Sequence, residues 1–63
     1  MASLTNKQVQ DIGEWCAEHG MLPHRVEADD IKAACKCLRI APVAKLAQFE
    51  VEAIADACAM ALE

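Results

Sequence analysis

The sequence predicts a single all-α domain spanning residues 1–63, a compact three-helix bundle or a closely related irregular small helical array. Three observations carry that prediction. Ala, Leu, Lys, Glu and Gln dominate, strong β formers are few and Tyr is absent, a composition that favours helix throughout. Apolar residues recur at helical spacing in three stretches, about residues 6–19, 29–39 and 47–62. Gly20 and Pro42 fall between these stretches, where helices end.

The first helix has a defined start. In Thr5-Asn-Lys-Gln8 the Thr5 hydroxyl is placed to accept from the Gln8 amide while the Gln8 side chain reaches back, with Leu4 and Val9 at the stapling positions. A 100° wheel then gathers Val9, Ile12, Cys16 and His19 on one face with Trp15 at its edge, leaving Lys7, Asp11, Glu14 and Glu18 opposite. Gly20 supplies a left-handed cap, over which Met21 or Leu22 can fold back.

Residues 21–27 read as a loop, because Pro23 disfavours helix at Leu22. The second helix is expected to be capped at Asp29 or a neighbour and to run to about Arg39, with Ile31, Ala34, Cys35 and Leu38 inward. Lys32, Lys36 and Arg39 share its outer face, and Pro42 stops it or starts the next element.

The third helix repeats the first. Residues 4–17 align without gaps on residues 46–59, matching Leu4 with Leu46, Val9 with Val51, Ile12 with Ile54, Cys16 with Cys58 and Ala17 with Ala59. The match places the third helix start near Ala47, a poor cap, with Glu50 reaching back and Val51, Ile54, Cys58 and Leu62 inward. Amphipathic helices converge on such patterns easily, so the match is read mainly as structural equivalence, with descent by duplication as the lesser alternative.

A chain of 63 residues buries only about 60% of the surface its unfolded form exposes, so the core is small. Its 56% hydrophobic content overstates that core, because alanine supplies the largest share and Trp15 and Phe49 are the only aromatics. A net charge of -4 argues against a chain that neutralises phosphates or anionic membranes itself. No apolar run reaches the 18 or so residues of a membrane span, and the N-terminus does not read as a secretory leader, so a cytoplasmic protein with reduced thiols is expected.

The four cysteines and two histidines are the residues with chemistry to offer. Cys35 and Cys37 project about 200° apart on a helix and cannot share a metal, so Cys35 reads as core and Cys37 as the exposed thiol. Cys16 and His19 stand three apart and could share a zinc ion with His24, Cys35 or Cys58, although His19 at a helix end also suits the dipole alone. Cys16 and Cys58 come to the same height in an up-down-up bundle, as packed thiols or, under oxidation, as a disulfide. No nucleophile-and-base arrangement and no phosphate-cradling loop emerges, and no enzyme, metal or cofactor is expected.

The third helix is apolar beyond its inward stripe. Leu46, Phe49, Ala53, Ala57 and Met60 form a second apolar side, so either this helix touches both others broadly or the Phe49, Ala53 and Met60 side awaits a partner. The expected function is a non-enzymatic protein-binding module using Phe49, Ala53 and Met60 with the acidic Asp11, Glu14, Glu18, Glu52 and Asp56. Its partner is a second copy, giving a homodimer, or a basic nucleic-acid-binding protein. The latter would make the chain a small acidic inhibitor, of the kind mobile elements use against host defence complexes. A cysteine-based metal or redox protein is the alternative, and a DNA-binding regulator using Lys32, Lys36 and Arg39 the third reading.

Overall fold

In the computed structural model, which describes residues 4–40 and 46–63, the first helix, α1 (Asn6–Glu18), starts with the reciprocal cap expected from Thr5 and Gln8. The Gln8 N–H donates to the Thr5 hydroxyl at 3.1 Å and the Thr5 N–H donates to Gln8 Oε1 at 2.9 Å. At the other end Gly20 adopts φ 74°, which lets the Gly20 N–H reach the Ala17 carbonyl and the Met21 N–H the Cys16 carbonyl, each at 3.0 Å. This paired closure satisfies carbonyls that the helix end would otherwise leave open.

The expected loop contains one 3-10 turn, Pro23–Arg25, with Pro23 at its first position and the Arg25 N–H bonded to the Leu22 carbonyl at 2.9 Å. The turn packs against the third helix and drops Val26 into the core. The second helix, α2 (Ala28–Leu38), is capped at Glu27 rather than Asp29. Asp30 Oδ2 accepts from the Glu27 N–H at 3.0 Å, so the acids sit inside the first turn, where the helix dipole favours them. α2 ends at Leu38 because Arg39 takes the left-handed conformation (φ 59°, ψ 34°), and the Ile40 N–H then closes on the Cys35 carbonyl at 2.9 Å. The end falls within a residue of the expected one at about Arg39; Pro42, the expected stop, lies outside the described residues.

The third helix, α3 (Gln48–Ala61), begins behind Ala47, whose methyl can cap nothing. Glu50 compensates. Its Oε1 accepts from the Ala47 N–H and its Oε2 from the Leu4 N–H, both at 3.3 Å, so one buried carboxylate ties the starts of α3 and α1 together. Ala17 and Glu18 lie beside Ala61 and Leu62 at the other end, so the two helices run parallel. α1 packs mainly on α3 and less on α2.

Gly13 sets the approach of α1 to α3. A Cβ added there would stand 2.5 Å from the Ala57 Cβ and 2.8 Å from the Cys58 backbone nitrogen, so glycine facing alanine is required at the crossing. Ile12, Cys16, Ile31, Ala34, Ile54 and Cys58 are fully buried on one side of this seam, with Cys35 and Val26 nearly so. Each buried isoleucine stabilises the fold by about 1.5–3 kcal/mol. Burial follows the sequence match: Ile12 with Ile54 and Cys16 with Cys58 are fully enclosed, while Leu4, Val9, Leu46 and Val51 pack half-buried around them. Two expected core positions, Leu38 and Leu62, are exposed instead, because each sits where its helix ends.

Gly13→Ala gains helix propensity but forces a methyl into Ala57, and overpacking of this kind costs about 1–3 kcal/mol. The substitution is expected to lower the melting temperature, and adding Ala57→Gly should restore part of the loss, as read by thermal and urea unfolding. Arg39→Gly removes the left-handed strain and is expected to stabilise by about 0.5–1 kcal/mol, whereas Arg39→Ala should gain nothing.

Candidate protein-binding face

The second apolar side of α3 divides into two parts. Leu46 packs on the core and Ala57 meets Gly13 at the seam, so these two are absorbed by the fold. Phe49 and Met60 are not: they are 69% and 70% exposed. Helical periodicity puts Phe49, Ala53 and Met60 within about 40° of one another. Ala53 is half-buried between the two larger side chains. The fold therefore brings the three expected apolar residues onto one strip along α3.

The acidic residues flank that strip unevenly. Glu52 and Asp56 are exposed, at about 60° and 20° round the helix from Phe49. Glu14 lines a shallow trough with Gln10, Ala57, Met60 and Ala61. Glu18 and Glu14 line its continuation with Ala17, Ala61 and Leu62. Glu14 and Glu18 thus form the α1 wall of one trough that Met60 and Leu62 border from α3. Asp11 does not join them. It is half-buried and shares the α1 face of Glu18, within about 20°, but stands two turns nearer the helix start.

The trough has a structural cause that the sequence pattern did not reveal. The floor consists of Ala17, Ala57 and Ala61, small residues that follow from the close approach at Gly13. A glycine inside an otherwise regular amphipathic helix was the available sign of that approach.

The thiols sit elsewhere. Cys16, Cys35 and Cys58 are buried and free while Cys37 is exposed, as their stripe positions imply. Burial pushes the Cys16 thiol from 9.0 up to about 11, with Cys58 and then Asp30 adding to the effect. Burial likewise raises Cys35 and Cys58. The Cys58 thiol donates weakly to the Met21 carbonyl at 3.6 Å. His19 leaves the expected core stripe: it is exposed, stacks on Trp15 with ring centres 3.9 Å apart, and donates from Nδ1 to the Trp15 carbonyl at 2.7 Å. As the residue that caps α1, it turns back over the last turn rather than toward the core. Among the described residues no three His, Cys, Asp or Glu side chains are gathered as a metal site would need.

The charge of α2 faces another way. Lys32, Lys36 and Arg39 are exposed along it, and Arg25 is exposed in the 3-10 turn. Among the described residues no helix is long and apolar enough to cross a membrane. No protein-family model matches the chain, and comparison with curated proteins and with solved structures finds no match.

A thiol reagent is expected to modify Cys37 alone in the folded protein and all four cysteines after denaturation, as counted by mass spectrometry. Unfolded cysteine ionises near 9.0 while folded Cys16 holds its proton to about 11. The folded state therefore binds more protons across that interval, and stability should be full below pH 9 and fall as pH rises toward 11. Cys16→Ala should flatten that decline in melts taken across the interval, whatever its effect at neutral pH.

Proposed function

We propose that this protein is a non-enzymatic binding module that docks through the Phe49, Ala53 and Met60 strip onto a basic protein. One observation carries the reading: the chain leaves its only phenylalanine and Met60 about 70% exposed while, among the described residues, the fully buried side chains are no larger than isoleucine. Burying either exposed side chain against a partner would contribute about 1.5–3 kcal/mol, enough to anchor an interface. Glu14, Glu18, Glu52 and Asp56 around the strip, with a net charge of -4, favour a cationic surface and repel nucleic acid.

A nucleic-acid-binding protein presents such a surface, and covering it would make this chain a small acidic inhibitor. It would act in the cytoplasm, where the four cysteines remain thiols. The absence of an enzymatic role is part of the same proposal. It is supported by the openness of the trough, which would leave a bound substrate in water.

Affinity capture from the source cell, with mass spectrometry of what is retained, tests the reading. The wild-type chain should retain a basic protein, with retention falling as salt rises. Phe49→Asp and Met60→Asp should each weaken it by roughly tenfold or more while leaving the helical circular dichroism unchanged. Undiminished retention by both variants, or retention that does not fall at high salt, would contradict it.

A further inference from the structure

The α1–α3 seam has two sides, and among the described residues only one is covered. Ile12, Cys16, Ile54 and Cys58 face the core, where Ile31, Ala34 and Cys35 of α2 close over them. The opposite side is the trough, floored by Ala17, Ala57 and Ala61 and open to solvent. Among the described residues, two parallel helices in contact thus carry a third helix on one side and an open concave surface on the other.

We propose that this trough seats a basic amphipathic helix contributed by a partner protein, packed against α1 and α3 on the side away from α2. The inference rests on the binding-module reading and adds to it the position and the chemistry of the occupant. The floor residues are alanines, so a helix with small side chains facing them can approach closely. From Gln10 to Glu18 the α1 wall extends about 12 Å, two turns of helix. An occupant with small apolar residues at i, i+3, i+4 and i+7 matches that length and shape.

Charge selects among the occupants of such a groove. Glu14 and Glu18 are spaced i, i+4 on the α1 wall, and Asp56 stands exposed on α3 beside Met60. Lysine or arginine flanking the apolar stripe of the occupant would meet these carboxylates. A second copy seated here through the same face would instead bring Glu14, Glu18, Glu52 and Asp56 of both chains together, which is repulsive. Nucleic acid is excluded by the same charge.

The test uses the isotope-labelled full chain and a synthetic helical peptide with a Leu/Ala stripe and Lys/Arg flanks, followed by amide chemical shifts. A twin peptide with Glu at every Lys or Arg position serves as the comparison. The basic peptide is expected to shift Ala17, Ala57, Ala61 and Leu62, and the E14Q/E18Q double variant should weaken it by roughly tenfold. The acidic twin should shift none of them. No shifts at these four residues, equal shifts with both peptides, or a concentration-dependent dimer producing the same shifts would overturn the proposal. Ala61→Arg, at an exposed position, blocks the trough and leaves Phe49 untouched. If the cellular partner is lost with Phe49→Asp but kept with Ala61→Arg, the helix-in-trough proposal fails while the binding-module reading stands. If Phe49→Asp has no effect, that reading fails on its own account.

Discussion

The contact of Gly13 with Ala57 is the constraint on which the remainder of the molecule depends. Because a Cβ at residue 13 would overlap Ala57 and crowd the Cys58 backbone, the two parallel helices meet closer than larger side chains would permit. That closeness lets a core of isoleucines, cysteines and alanine seal on one side without any fully buried aromatic. The same closeness leaves a floor of alanines on the other side. Glu50 fixes the register at the starts of the helices, spanning from its own cap to the Leu4 amide.

Small side chains at the centre have a consequence for the surface. A 63-residue domain gains little from burying alanine and cysteine, so it would be expected to enclose every large side chain it owns. It does the reverse with Phe49 and Met60, while Trp15 is only half-buried beneath His19. The exposed pair is not accounted for by the fold's own packing, and the carboxylates of Glu14, Glu18, Glu52 and Asp56 around it outnumber the one cation, Lys7, on that face of α1. The three inner thiols follow a different logic. Enclosed and held protonated by burial, they act as small apolar fillers, and Cys37 alone meets solvent.

Much of the fold was legible in local pattern. Thr5 with Gln8 and the left-handed Gly20 fixed α1, and the match between residues 4–17 and 46–59 foretold which residues of α3 go inward. Failures came where tertiary geometry overrides pattern. His19 and Leu62 continue an apolar stripe on a wheel, but each lies at a helix end, so both emerge. Arg39 adopts a backbone conformation that sequence rules reserve for glycine. Of the expected binding residues, Phe49, Ala53, Met60, Glu52 and Asp56 share a strip because one helix carries them. Whether Asp11, Glu14 and Glu18 join it depends on the rotation of α1 about its axis. Gly13 sets that rotation and brings Glu14 and Glu18 to the trough, while Asp11, on the face of Glu18 but two turns nearer the helix start, stays off it.

The account therefore turns on one proximity, between the middle of α1 and the middle of α3, and an NMR measurement of nuclear Overhauser effects across that seam tests it most directly. Strong cross-peaks between the Gly13 α-protons and the Ala57 methyl, with weaker ones from Ala17 to Ala61, are the predicted result. Absence of the Gly13–Ala57 cross-peak in a folded, well-dispersed spectrum, or its replacement by contacts from Asp11 to α3, would contradict the seam and the trough that follows from it.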